Sequence, residues 1–493
     1  MSDSNSYRSI IKATSLIGGA SVLAMFFNMI RTKVIAVLLG AEGVGFFGVF
    51  MNILNLFSVA MTLGLGTSGV KILAEQYQNR EMSEVRECSS VILQILLYFG
   101  IFGMLLMAGL CYPLSVFSFH SSQFYWAILL LSVGVLLKNL INGQRAILQG
   151  CRKIPQIALL NILDALFMML FGIPCYYFFG MNGIVSGLVI ALILSCCMGW
   201  VFLHKPDFQF SWVSFSVLKK KSTPMLALGI GFVFTAFVGT GIDYLARVVI
   251  IKNAGIILLG IYDAAFSLSG IFVNFVLGAM ATDYYPRLAA VVNDSKKFQR
   301  TLMEQAEIVI LVATPGLVLM MMLADIIIPI FYASSFAQAI PILKIFIIAV
   351  YGRVLSWPFS YAIMAKGDAR AFVAAETSMY ILRFVLLYWG VLYYGIAGAA
   401  WALVGAYFLY IPLVLFICFH KYHLHSSHFL SLLRATAGLV ILLTFFNNFF
   451  MRHWFNWGLD VILFAGVGIG ALAILKRRLN LSWRMLKGRF MHE

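Results

Sequence analysis

Apolar residues run along this chain in blocks of about 20, separated by short polar stretches that carry most of its charge. A block of that length crosses the ~30 Å hydrocarbon core of a bilayer as an α-helix. The pattern predicts fourteen transmembrane helices, the first over 13–38 and the last over 457–475. An even number puts both ends on one side, together with 67–88, 148–156, 204–224, 282–307, 365–375 and 420–434. Almost every Lys and Arg outside the spans falls on that side, against Lys252 and Arg452 on the other. By the positive-inside rule that side is the cytoplasm, and both termini belong to it. The outer loops are too short for an external domain. Pro206 to Lys221 mixes aromatics with a terminal Lys triplet and reads as an interfacial helix on the inner leaflet; Lys476 to Phe490 has the same character.

Composition agrees. Of 493 residues 62% are hydrophobic and 11% charged, whereas a soluble domain is about 25% charged. A soluble enzyme, a disordered chain and a secreted disulfide scaffold are excluded. The net charge of +16 is spread between spans rather than gathered on one face, so it points to membrane lipids and not to nucleic acid. Seven scattered cysteines without a CxxC pair read as small helix-packing residues. The segment MSDSNSYRSIIKATS leads into an apolar stretch too long for a cleaved leader. His420, His423, His425 and His428 share one inward loop, but no Cys or carboxylate joins them and the spacing fits no zinc pattern, so no metal site is expected.

The chain also repeats itself with a shift near 216. Arg31 maps to Arg247, Lys71 and Ala74 to Arg287 and Ala290, Gly150 to Gly367, and Gly180 and Gly183 to Gly395 and Gly398. The first six spans therefore match the next six, and two more follow. This predicts an all-α membrane protein: an N-terminal six-helix lobe (1–203), a cytoplasmic linker (204–224), a second six-helix lobe (225–420), two added spans (421–475) and a basic tail (476–493). Six is even, so the lobes are parallel repeats, an arrangement that lends itself to alternating access around a central cavity.

A charge at mid-membrane costs at least ~2.5–3.5 kcal/mol, so it faces water, a partner or a ligand. Within the spans Arg31, Lys33, Lys138, Arg247, Arg353 and Arg383 are candidate ligands for an anionic substrate. Arg31 has no acid in its span. Asp243 and Arg247 stand four apart on one helix face, the spacing of an ion pair, and Asp243 and Asp164 are candidates for coupling to H⁺ or Na⁺. Lys344, Asp325, Asp263 and Glu376 lie near span ends, where side chains snorkel to headgroups. Arginine forks suit phosphate oxygens. A diphosphate leaving an inside-negative cell gains roughly 4–5 kcal/mol from 100 mV, and the chain carries no phosphate-loop motif of an ATPase. No cofactor is expected.

AVLLGAEGVGFFGVF (Ala36–Phe50), LQGCRKIPQIALLNIL (Leu148–Leu163), GIYDAAFSLSGIFVNF (Gly260–Phe275) and FYASSFAQAIPILKIF (Phe331–Phe346) resemble the Wzx-type O-antigen and polysaccharide-repeat flippases. These belong to the multidrug/oligosaccharidyl-lipid/polysaccharide exporter superfamily. The resemblance implies a bacterial inner-membrane protein that moves a polyprenyl-diphosphate-linked oligosaccharide from the cytoplasmic to the periplasmic leaflet. It also implies that a polysaccharide polymerase and a chain-length regulator are partners. The related lipid II flippases carry a first-helix arginine that matches Arg31. Their arginines of the second and eighth helices have no match here. Two other readings are an ion-coupled antiporter of drugs or small molecules and a membrane polymerase or glycosyltransferase. The excess of base over acid speaks against a cationic drug, and the short outer loops speak against an enzyme.

Overall fold

A computed structural model describes residues 3–79, 82–204, 210–424, 428–450 and 455–479. Among the described residues there are sixteen α-helices and no strand. The chain separates into two compact units, 1–261 with 331–335 and 262–330 with 336–493.

The first unit contains α1 (Asp3–Leu38), α2 (Gly40–Thr62), α3 (Leu65–Gln78), α4 (Met82–Gly109), α5 (Cys111–Phe119), α6 (Tyr125–Gly150), α7 (Ile154–Phe179), α8 (Gly183–Leu203) and α9 (Phe215–Ala254). α10 (Ile256–Ala290) begins in it and continues into the second unit, with α11 (Ser295–Met322), α12 (Ala324–Phe331), α13 (Ala339–Ala365), α14 (Ala369–Phe416), α15 (His428–Phe450) and α16 (Phe455–Leu479). The compact units follow packing rather than the sequence repeat: α9, which opens the second repeat, packs on α2, α3, α4 and α5.

Among the described residues, eleven segments are long and apolar enough to cross a membrane. Two of them, Ile154–Leu203 with 50 residues and Ala369–Lys421 with 53, far exceed the ~20 residues one crossing needs. Each folds back at a glycine in backbone space that a Cβ disfavours: Gly180 (φ 56°, ψ −131°) and Gly395 (φ 59°, ψ −143°). Behind each turn the arms meet at a second glycine. A Cβ on Gly183 would run into the Cys175 carbonyl, and one on Gly398 into the Gly390 carbonyl. The expected fourteen spans rest on dividing these two segments and on the shorter apolar helix Asp460–Ile474.

The turns also fix the register of the repeat. Left-handed backbone occurs at Gly40 and Gly255, at Arg152 and Gly367, and at Gly180 and Gly395, and every pair is 215 apart. Gly367 therefore corresponds to Arg152 and not to Gly150. Arg31 stands nine residues before Gly40, whereas Arg247 stands eight before Gly255. The counterpart of Arg31 is thus Ala246, and Arg247 is turned about 100° around its helix from the equivalent position. The sequence pairing of the two arginines is corrected by one residue.

The glycine-rich stretch around Gly45 makes a tight crossing. A Cβ on Gly45 would lie 2.6 Å from the Ile256 carbonyl oxygen, and one on Gly260 would strike the Ala41 carbonyl. Two of the sequence stretches singled out above meet here.

The expected interfacial helix over Pro206–Lys221 is not a separate element. Residues 205–209 lie outside the described residues, 210–214 are not helical, and the Lys triplet belongs to α9, a continuous helix of 40 residues. Residues 211–213 are stapled to α4. The Val213 N–H donates to Gln94 Oε1 at 3.0 Å and Gln94 Nε2 donates to the Val213 carbonyl at 3.3 Å, while the Ser211 N–H reaches Ser90 Oγ at 3.2 Å. Lys221 then bridges Glu84 at 2.6 Å and Glu87 at 3.1 Å. The tail expected to bind lipid lies largely outside the described residues.

Large aromatics stand out on the surface beside both hairpin turns: Phe178 and Phe179 (74% and 66% exposed) and Tyr393 and Tyr394 (72% and 76%). These are register partners, and the tyrosines carry the amphipathic rings that settle at a membrane–water interface.

In the second unit α13 is buried on nearly every face and packs on α14, α11 and α15. Asp368 caps α14, accepting the Ala371 N–H at 3.1 Å, and also takes the Tyr422 hydroxyl at 2.9 Å and the Lys421 ammonium. The Lys421 contact, with these donors, holds its carboxyl below the usual carboxylate range. Its stabilisation is therefore present above the unfolded value near pH 4 and disappears as pH falls through the depressed folded value. Asp368→Asn is expected to flatten that acid limb of the pH profile of thermal stability in detergent. Gly183→Val and Gly398→Val are expected to cost about 1–3 kcal/mol through overpacking and to lower Tm. Gly19→Ala, where a Cβ meets nothing within 4 Å, is the control.

Candidate functional site

In the first unit Arg31 lies on α1, the helix that packs along α7. Its guanidinium carbon sits 4.7 Å from the centre of the Phe47 ring of α2, and its buried Nε has no hydrogen-bond partner. A cation over a ring keeps some favourable interaction while the Nε–H remains available to an anion. Lys33, a half-turn on, is half-buried.

Lys138 on α6 donates its ammonium to Asn55 Oδ1 of α2. Seven residues further along the same helix, Arg145 forms an ion pair with Asp164 of α7. Asp164 is thus matched by a cation, and Arg145 is a span residue that sequence reasoning missed. The available signal was the acid: Asp164 is the single charge within the long apolar α7, and such a group requires a partner. The structure brings Lys138, Arg145 and Asp164 into one neighbourhood.

On α9, Arg247 Nη1 donates to the backbone carbonyl of Asp243 at 3.0 Å. The four-residue spacing brings the two residues together, with this hydrogen bond ending on the main chain rather than on the carboxylate.

In the second unit Arg353 is half-buried on α13 and Arg383 is buried on α14. The Arg383 guanidinium carbon lies 5.4 Å from the Phe266 ring centre. Arg434 on α15 repeats the motif over Phe359 at 5.0 Å. Lys344 and Asp325 do not snorkel separately; they pair at 2.9 Å, with the lysine buried. Asp263 is buried as well. Of the histidine loop, His420 stacks on Phe416 at 4.2 Å, His425 lies outside the described residues, and no metal-binding group of His, Cys, Asp and Glu occurs among the described residues.

Apolar helices of bilayer length, glycine hairpins in a twofold register and cations held inside the spans define a multi-pass membrane transporter. The family model described as "Polysaccharide biosynthesis protein" matches residues 34–341, more than half of the chain, and the chain belongs to this family, in keeping with the Wzx-type exporters it resembles. A candidate O-antigen transporter of Shigella flexneri is 23% identical over 370 residues, 73% of this chain and 86% of that one. The lipid III flippase of Escherichia coli K12 is 20% identical over 413 residues, 82% and 97%. Among solved structures, the lipid II flippase MurJ in an inward closed conformation matches with a TM-score of 0.68 and 14% identity, covering 94% of this chain and all of that one. An inward-facing multidrug MATE-family transporter matches with a TM-score of 0.68 and 15% identity, covering 84% and 96%. At such identities the structures show the fold alone. The chain is a transporter of the exporter superfamily and not an enzyme.

Arg145→Ala leaves Asp164 without its cation in a partly exposed setting. An expected loss of about 1–2 kcal/mol, discounted from the fully buried case, is checked by thermal unfolding in detergent. The double variant Arg145→Ala/Asp164→Ala is expected to recover part of it.

Proposed function

We propose that this protein flips a polyprenyl-diphosphate-linked oligosaccharide, a surface-polysaccharide repeat unit, from the cytoplasmic to the periplasmic leaflet of a bacterial inner membrane. The observation that carries the reading is Arg31: a guanidinium within a span, packed on a ring, with an unpartnered buried donor. Such a group is poised for phosphate oxygens, to which arginine gives charge-assisted, two-pronged hydrogen bonds. Lys33, Lys138 and Arg247 of the first unit, and Arg353 and Arg383 of the second, are the further candidate ligands for the anion in this reading. The names of the E. coli and Shigella relatives support a lipid-linked cargo.

Alternating access through a cationic path accounts for how a diphosphate crosses without ATP. The headgroup and glycan traverse the protein while the polyprenyl tail stays in the bilayer. The membrane potential favours export of the anion, and a polymerase on the far side consumes the product. The distribution of Lys and Arg supports cytoplasmic termini.

Deleting the protein from a polysaccharide-producing strain is expected to abolish surface polymer and to accumulate unpolymerised lipid-linked units on the cytoplasmic side. Normal polymer with altered sensitivity to toxic compounds would instead mark a small-molecule antiporter. In the same strain Arg31→Ala is expected to reduce translocation at least about tenfold, the effect of losing ~1.4 kcal/mol of anion binding. Membrane abundance, read by immunoblot, is expected to be unchanged. Full activity of Arg31→Ala would remove the cationic path.

A further inference from the structure

Beyond Glu42 in its first turn α2 carries no charged residue, yet it meets two cations of the first unit. Arg31 lies over Phe47, and Lys138 donates to Asn55 Oδ1. Asn52 and Asn55 are three apart and share a face, which begins five residues, about 8 Å, beyond Phe47. Both are half-buried, while Phe46, Phe50, Ile53 and Leu54 turn the opposite side of the helix into the protein. The Oδ1 of Asn52 has no hydrogen-bond partner among the described residues. Other polar groups of the spans do find one. Thr62 returns its hydroxyl to the Ser58 and Val59 carbonyls and Asn28 its amide to the Ala24 carbonyl. Glu376 takes the Ser360 and Tyr410 hydroxyls at 2.6 and 2.7 Å. Ser58 Oγ is unpartnered as well, but at 1% exposure it lies behind the face that Asn52 and Asn55 share.

We propose that Asn52 and Asn55 bind the sugar end of the cargo through its hydroxyl groups. This role rests on the flippase reading above. Lys138 occupies Asn55 Oδ1 and so leaves that amide its two N–H donors, while Asn52 presents an acceptor a turn away. A hydroxyl, which donates and accepts at once, matches such a pair. An ionised diphosphate only accepts hydrogen bonds, so it suits Arg31, which only donates, and would leave Asn52 Oδ1 unsatisfied. An acyl chain offers neither donor nor acceptor. Asparagine χ2 is broad, so a small rotation presents Oδ1 on the open face. The order along α2 fits the cargo too. By the distribution of Lys and Arg the helix runs inward from Gly40, which places Arg31 on the outer side of the two asparagines. A lipid-linked unit entering from the inner leaflet holds its diphosphate nearer the hydrocarbon and its glycan toward the cytoplasm, the same order.

Binding to the full chain in lipid nanodiscs is measured for two probes. One is the polyprenyl diphosphate carrying the strain's own repeat unit, extracted from cells that lack this protein; the other is sugar-free polyprenyl diphosphate. Wild type is expected to bind the glycosylated probe at least about tenfold more tightly, the effect of a few net hydrogen bonds. Asn52→Leu is expected to remove most of that preference while changing the affinity for the sugar-free probe less than about twofold. Asn52→Ala is expected to do the same, and thermal unfolding checks that both variants fold. Arg31→Ala is expected to weaken both probes. Equal binding of the two probes by wild type overturns the glycan site and leaves the flippase reading standing. So does an Asn52 variant that weakens both probes alike, or that weakens neither. If wild type binds neither probe, the flippase reading fails and the glycan site with it.

Discussion

Hydrocarbon offers a buried polar group no water, so every donor, acceptor and charge inside the spans needs a partner within the protein or its ligand. The helices meet this demand at several scales. Ser21, Thr32, Thr314 and Ser378 return their hydroxyls to the carbonyl four residues back, a local solution that requires no second helix. Asn447 and Asp460 satisfy each other between α15 and α16 at 2.8 Å. Ion pairs link α6 to α7 and α12 to α13. Arg31, Arg383 and Arg434 also lie over aromatic rings. The Nε of Arg31 is a buried donor left without a hydrogen bond, and a binding site is one reason for leaving it so.

Much of this was legible in the chain. Span length and hydropathy gave a helical membrane protein, because period and length survive any detail of packing. The glycine landmarks gave the repeat, since a backbone turn with positive φ restricts which residue can occupy it. Two things were not legible. The register was off by one for Arg31 and Arg247 and by two for Gly150, because residue identity was matched where conformation was the constraint: Arg152 occupies left-handed backbone that Gly367 takes in the second repeat. The partners of buried charges were also hidden. Arg145 and Asp164 are 19 residues apart on two helices, and only their crossing brings them together. Glu376 looked like a span-end residue because the sequence does not say that Tyr410 folds back toward it through the bend at Gly395.

The linker between the repeats changes meaning in the same way. Its aromatics and lysines suggested an element resting on lipid, but Gln94 and Ser90 hold its backbone as a neighbouring strand would, while Trp212 remains exposed beside Tyr98, with ring centres 6.5 Å apart. A glutamine that both donates to and accepts from one residue's main chain satisfies two groups that would otherwise need water. The linker is thereby part of the first unit and not a free tether.

The tyrosine pair at the second hairpin tip carries a consequence for the host membrane. Tyr393 and Tyr394, each with an apolar ring and a polar hydroxyl, resist being drawn into the acyl chains or pushed into water, so the second hairpin has a preferred depth. A bilayer thinner or thicker than the span beneath those rings must be met by helix tilt or by local deformation of the lipid, at fractions of a kcal/mol per Å. The second hairpin acts as a gauge of bilayer thickness. Lipid composition therefore becomes a variable that bears on this protein without touching any of its charges.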